Sequence, residues 1–304
     1  MKIGIPKALL YHKYHPLWTT FFTELGAEVV LSSDGTRQSY DSGCRHCLDE
    51  ICLPIKTYFG HVIELRDKVD CIFVPRIVSV EKRRRGKSYT CPKIIGLTDM
   101  VRAAVSDLPK ILSPTIDINK RSEILAYLQL GLTIARNPAR TLMAYSKAKK
   151  EQENLENKKT AAINDAGMKI GVISHAYNLC GSYPTPDVLR ILKKLGAVPI
   201  TIDIYPKRLT KNNAEKHFPE LSWNFEREML GGSIEMLKDK EIAGCIVLSN
   251  FSCGPDSLTG DYIIRMAKRH SDVPFSLLLI DEHTGEAGLK TRIEAFTDMI
   301  KRRR

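Results

Sequence analysis

No stretch of this 304-residue sequence approaches the roughly 20 consecutive apolar residues that a membrane helix needs. The first residues, Met1-Lys2-Ile3-Gly4-Ile5-Pro6, lack the long apolar core of a signal peptide, so a cytoplasmic location is expected. No glycine loop of the P-loop or dinucleotide type is present, which argues against ATP hydrolysis by the chain itself. No recognised nucleic-acid motif accompanies the basic residues, so nucleic acid is the disfavoured partner. Eight cysteines in a reducing compartment are a poor match to disulfides and a better one to metal or redox chemistry.

What is present is the composition of a globular protein, 43% hydrophobic and 27% charged, long enough for two domains. The net charge of +11 gathers partly in two runs, Lys82-Arg83-Arg84-Arg85 with Lys87, and Lys301-Arg302-Arg303-Arg304. Solvated surface accounts for such runs, and so does an acidic partner protein or a phosphorylated ligand such as coenzyme A.

The sequence begins twice. Met1-Lys2-Ile3-Gly4-Ile5 is echoed by Met168-Lys169-Ile170-Gly171-Val172, each a short run of strand-forming residues. Leu25-Gly26-Ala27-Glu28-Val29-Val30 is echoed by Leu195-Gly196-Ala197-Val198-Pro199-Ile200, where glycine can end a helix before the next strand. Third strands follow at Cys71-Ile72-Phe73-Val74 and Cys245-Ile246-Val247-Leu248. Alternating strands and helices predict an α/β protein of two Rossmann-like, doubly wound parallel-sheet domains. The boundaries read as 1–137 for an N-terminal domain with a cysteine-bearing insertion, 138–166 for a charged linking helix, and 167–304 for a C-terminal domain. In the second domain strands are expected near 169–174, 198–203, 243–248 and 275–280, and helices near 184–195, 222–238, 256–268 and 286–302. Residues 31–54 break the pattern of the first. The linking helix is nearly all polar over 146–159 and is expected to be exposed.

The cysteines sort by position. Cys71 and Cys245 lie inside apolar strand runs and read as small packing residues. Cys44, Cys47, Cys52, Cys91, Cys180 and Cys253 fall in loops or at helix starts. Cys253-Gly254-Pro255-Asp256 follows a strand and opens a helix, a setting that favours a thiolate or an anionic cluster. Cys91-Pro92 is a step common at cluster ligands. Cys44 and Cys47 form a C-x-x-C pair with Cys52 five residues beyond, which fits zinc, a redox pair or an iron–sulfur cluster. Glu282 and His283, after the last strand, are candidates for proton transfer or for fixing their loop.

Together, Asp49-Glu50-Ile51-Cys52-Leu53-Pro54-Ile55-Lys56, Tyr89-Thr90-Cys91-Pro92-Lys93, Ser252-Cys253-Gly254-Pro255-Asp256 and Asp281-Glu282-His283-Thr284-Gly285-Glu286 form an ordered set. This set resembles the 2-hydroxyacyl-CoA dehydratase and acyl-CoA dehydratase activase-related family (DUF2229-like), and is similar to the double-cubane cluster proteins. The resemblance implies a [4Fe–4S] cluster held by Cys52, Cys91 and Cys253, or a double-cubane cluster to which Cys44 and Cys47 add ligands; it assigns Cys180 no clear role. It further implies a dehydratase-type or reductase component in anaerobic metabolism. Electrons of low potential would come from an ATP-dependent iron–sulfur activase, and the substrate would be a CoA ester or a small reducible molecule. A dimer is among the assemblies it implies. From the residues alone, a zinc-stabilised binding or regulatory module without redox activity is the alternative.

Overall fold

The computed structural model describes residues 1–161, 166–181, 183–270 and 272–303. Its elements run β1 Lys2–Ile5, α1 Tyr11–Glu24, β2 Glu28–Leu31, α2 Arg37–Arg45, α3 Leu53–Leu65, β3 Cys71–Phe73, β4 Arg76–Ser79, α4 Pro92–Ile95, α5 Leu97–Ala104, β5 Lys110–Leu112, β6 Thr115–Asp117, α6 Glu123–Ala135 and α7 Pro138–Ala161. They continue as β7 Met168–Ile173, α8 Val188–Lys194, β8 Ala197–Thr201, α9 Lys207–His217, α10 Asn224–Lys238, β9 Ile242–Asn250, α11 Gly254–His270, β10 Phe275–Ile280 and α12 Glu286–Arg303. The chain is α/β, with parallel sheets of Rossmann-like order. Among the described residues no helix is long and apolar enough to cross a membrane.

The chain divides into two compact units, Met1–Asn157 with Ser222–Asn224, and Lys158–Leu221 with Phe225–Arg304. In the first, the sheet order is β2-β1-β3-β5, all parallel. Strands covered on both faces must be apolar on both, and Ile3, Ile5, Ile72 and Phe73 are buried accordingly. Phe22 meets Phe73 edge-on at 5.0 Å, Phe21 meets Tyr127 at 5.1 Å, and the Trp18 Nε1–H donates to the Tyr127 hydroxyl at 3.1 Å.

Two neighbouring strands of this unit break at the same level, at Val74-Pro75 and Ser113-Pro114, because proline cannot donate to the ladder. Pairing resumes beyond them as the two-stranded sheet β4-β6. The Thr98 hydroxyl bridges the break, 2.9 Å from the Val74 carbonyl and 2.8 Å from the Ser113 hydroxyl.

The second unit holds the sheet β10-β9-β7-β8, also parallel. The strand order therefore repeats that of the first unit, as the echoed sequences imply. The paired phrases play the same part in both: Gly26 (φ +83°) follows α1 and Gly196 (φ +77°) follows α8 in the left-handed conformation that ends a helix. The core of this unit is built from Ile173, Ile200, Ile202, Met229, Met236, Cys245, Val247 and Ile263.

Three features differ from the sequence reading. Residues 31–54 are not simply irregular, since α2 lies within them, opened by a reciprocal capping box between Thr36 and Ser39. A helix not anticipated, α9, stands between β8 and α10. The charged helix α7 is not exposed all round: Thr141, Ala144, Tyr145, Ala148 and Gln152 form a buried stripe. Small alanines let it pack closely within the first unit, where the Tyr145 hydroxyl donates to Glu123 at 2.9 Å and Gln152 Nε2 to the Lys13 carbonyl at 2.9 Å. The end of the expected linking helix, 162–165, lies outside the described residues, as does Arg304 of the second basic run.

Candidate functional site

Three cysteines stand directly ahead of helices that carry proline in their first turn. Cys52 is the N-cap of α3, with Pro54 following; Cys91 is the N-cap of the single turn α4, with Pro92 following; Cys253 precedes α11, with Pro255 following. Cys52 (φ −66°, ψ 149°) and Cys91 (φ −55°, ψ 139°) share one extended backbone conformation, which in Cys91 is the one a residue before proline prefers. Each carbonyl accepts the first bonds of its helix: Ile55 N at 3.0 Å from Cys52, Ile94 N at 2.9 Å from Cys91, and Ser257 N at 3.0 Å from Cys253. At the heads of the long helices α3 and α11, the unpaired N–H groups favour a thiolate. Cys52 and Cys253 are buried and Cys91 is half-buried. Ser252, just before Cys253, takes a left-handed φ of +61°, a strained conformation that aims the turn.

The first unit gathers more thiols. Cys44 lies in the last turn of α2, Cys47 N donates to the Cys44 carbonyl at 3.3 Å, and both Cys44 and Cys52 act on Cys47 electrostatically. Burial, with these neighbours, pushes the Cys47 thiol up to about 12, while the Lys56 ammonium pulls it back. Among the described residues these three thiols are not a group with ligand atoms within 4.8 Å of one another, so they do not form a single-ion site as they stand; Lys56, buried, is the cation that acts on Cys47.

The other candidates separate cleanly. Cys71 and Cys245 are buried within β3 and β9, and burial raises the Cys245 thiol to about 12. Cys180 is exposed and donates to the Tyr177 carbonyl at 3.1 Å. Glu282 and His283 lie on an exposed turn, 3.6 Å from each other. The turn is fixed by their neighbours, through Thr284 Oγ1 to Asp281 at 2.7 Å and the His283 N–H to Asp281 at 2.9 Å.

A second group was not legible in the sequence. His175 follows β7, Asp256 sits in the first turn of α11, and Glu226 sits in the first turn of α10. All three are buried, and one ligand atom from each lies within 4.8 Å of the others. His175 Nε2 is 2.7 Å from Asp256 Oδ1 and 3.9 Å from Glu226 Oε1. Burial opposes charge on the ring, but Asp256 and then Glu226 outweigh it and raise the His175 pKa. Burial likewise acts to raise Asp256, yet His175 holds it below the usual carboxylate range; Glu226 is raised by burial. Around them, Asn250 N donates to Asp256 Oδ2 at 3.3 Å, Asn250 Nδ2 to Asn178 at 2.9 Å, and Asn178 Nδ2 to Ser174 at 3.0 Å. Position past the carboxyl end of a strand was the available signal for His175, and the acidic third residue of α11 for Asp256. Three distant segments share no spacing that could have linked them.

No curated protein matches the sequence. A solved structure described as "Crystal structure of ZnuA" aligns over 98% of this chain and 98% of its own, at 11% identity and a TM-score of 0.25. The family model described as the CoA enzyme activase uncharacterised domain (DUF2229) matches residues 2–204, a span that includes Cys44, Cys47, Cys52 and Cys91, and the chain belongs to that family.

Proposed function

We propose that the protein is a cytoplasmic iron–sulfur component that takes low-potential electrons from an ATP-dependent activase and uses them in reductive chemistry on a CoA ester or a small molecule. The observation that carries this reading is the recurrence of one local design at Cys52, Cys91 and Cys253: a cysteine directly before a helical turn, with proline within the next two residues. Membership of a family described by CoA enzyme activation supports the same reading. Cys52, Cys91 and Cys253 would be the thiolate ligands, with Cys44 and Cys47 added in a larger, double-cubane centre. Such a group supplies one-electron transfer at low potential and, at an iron the protein leaves open, a place for substrate.

The chain's own contributions are local. Prolines 54, 92 and 255 stiffen the ligand turns and remove competing donors. The Lys56 ammonium offsets anionic charge, and burial of Cys52 keeps water from its sulfur.

Zinc is the second reading, favoured by the C-x-x-C spacing of Cys44 and Cys47 with Cys52 five residues beyond. Anaerobically purified protein decides between them. The proposal expects a brown protein with broad absorption near 400 nm that bleaches in air and is lost on Cys52→Ser or Cys91→Ser. Colourless protein with about one zinc, unchanged in air, would overturn it.

A further inference from the structure

The second unit carries a cluster that the thiol reading does not use. We propose that His175, Glu226 and Asp256 form a buried site for a divalent transition-metal ion, separate from any centre held by the cysteines. Position is the first argument. The strand order β10-β9-β7-β8 reverses between β7 and β9, and open α/β sheets bind ligands outside the carboxyl ends of their strands at this switch point. His175 follows β7 and Asp256 opens the helix that follows β9, so two ligands stand at that point.

The second argument is an unsatisfied oxygen. Glu226 is 3% exposed and its Oε2 has no hydrogen-bond partner among the described residues; nor does Oδ1 of Asn250, whose N–H bonds Asp256. A buried carboxylate oxygen left bare costs on the order of a lost hydrogen bond to a charged group, roughly 2 kcal/mol, which a bound cation would recover.

Charge and geometry agree. A neutral imidazole and two carboxylates sum to −2, the complement of a divalent ion, whereas a proton on the ring leaves a buried −1. Ligand atoms about 2.1 Å from one ion stand about 3 to 4 Å apart. The separations of 2.7 and 3.9 Å need only small side-chain rotations to meet that. Tyr177, stacked on the His175 ring at 5.0 Å, limits its rotation. One nitrogen and two carboxylate oxygens suit ions of the manganese-to-zinc range over calcium or copper(I).

The test uses the full chain, treated with a chelator and titrated with Mn2+ alone, because Mn2+ prefers oxygen and nitrogen to thiolate. Free Mn2+ is read by its electron paramagnetic resonance signal. Wild type is expected to take up one Mn2+ per chain and to unfold at a higher temperature when loaded. Glu226→Gln and Asp256→Asn are expected to bind at least about tenfold more weakly. Metal-free Glu226→Gln should be as stable as wild type or more so, since it removes a bare buried charge; this separates lost binding from lost folding. Serine at Cys52 and Cys91 should leave Mn2+ uptake unchanged, which separates this site from the cysteines of the first unit. Wild type that takes up no Mn2+ at millimolar concentration, or Glu226→Gln that binds as tightly, overturns the proposal.

Discussion

Gly43 of α2 and Gly60 of α3 close on one another so tightly that a Cβ at position 43 would stand 2.7 Å from the Gly60 nitrogen and 2.1 Å from the Lys56 carbonyl oxygen. A Cβ at position 60 would meet the Ser39 carbonyl at 2.2 Å. Both contacts are backbone, so no side chain can swing away. The approach of these helices carries Cys44, one residue beyond Gly43, toward the turn that holds Cys52.

Gly43→Ala is therefore expected to cost at least about 1–3 kcal/mol of stability and to lower the metal content of the first unit. Denaturant unfolding and metal analysis check both. A variant with unchanged stability would show that the helices can part freely.

Acid should weaken the first unit. Burial, chiefly, lowers His61 from 6.5 to about 4, and the same cause with His61 as neighbour lowers His12 to about 4. His61 Nδ1 lies 2.8 Å from the Ser32 hydroxyl, which also accepts the Lys7 N–H at 2.8 Å and so can turn its own proton to the ring. Above pH 6.5 folded and unfolded chains are both neutral here. Below it the unfolded chain binds protons that the fold refuses, so stability falls as pH drops from 6.5 toward 4 and then levels. Over about 2.5 pH units at about 1.4 kcal/mol each, His61 alone accounts for on the order of 3 kcal/mol. Unfolding midpoints between pH 7 and 4 measure this, and His61→Gln should flatten the slope.

Much of this fold was readable in advance, and the reasons are local. Gly26 and Gly196 signalled helix ends because only glycine enters the left-handed region cheaply. The central strand β9 announced itself because a parallel strand covered on both faces is apolar along most of its length. What stayed hidden depends on tertiary contact. The stripe of α7 rests on two alanines and one tyrosine, too slight a signal in a charged stretch. Helix α9 has a polar composition and rests on Gly231, where a Cβ would meet the Thr210 carbonyl at 2.0 Å. The His175 cluster joins three segments that no sequence spacing relates.

Arg227 is the test of the α9–α10 region. Its guanidinium is buried, 2.6 Å from Glu215 and donating at 3.2 Å to both the Phe218 and Leu221 carbonyls. Arg227→Met strands these acceptors and should cost about 3–5 kcal/mol by urea unfolding. A loss below about 1 kcal/mol would mean that water replaces the guanidinium.

Cysteines without a proposed role in the centre should separate from those with one. Cys245→Ala removes a fully buried thiol packed in β9 and is expected to lower stability by about 1 kcal/mol while leaving iron content unchanged. Iron that falls with Cys245→Ala and not with Cys52→Ser would reverse the assignment.

The most direct measurement is iron and acid-labile sulfide on anaerobically purified chain, wild type beside the Cys52→Ser, Cys91→Ser and Cys253→Ser variants. The proposal predicts about four irons and four sulfides per chain, or about eight irons for a double cubane, falling sharply in each variant. Wild type with neither iron nor sulfide, or with iron that all three variants retain, would contradict it.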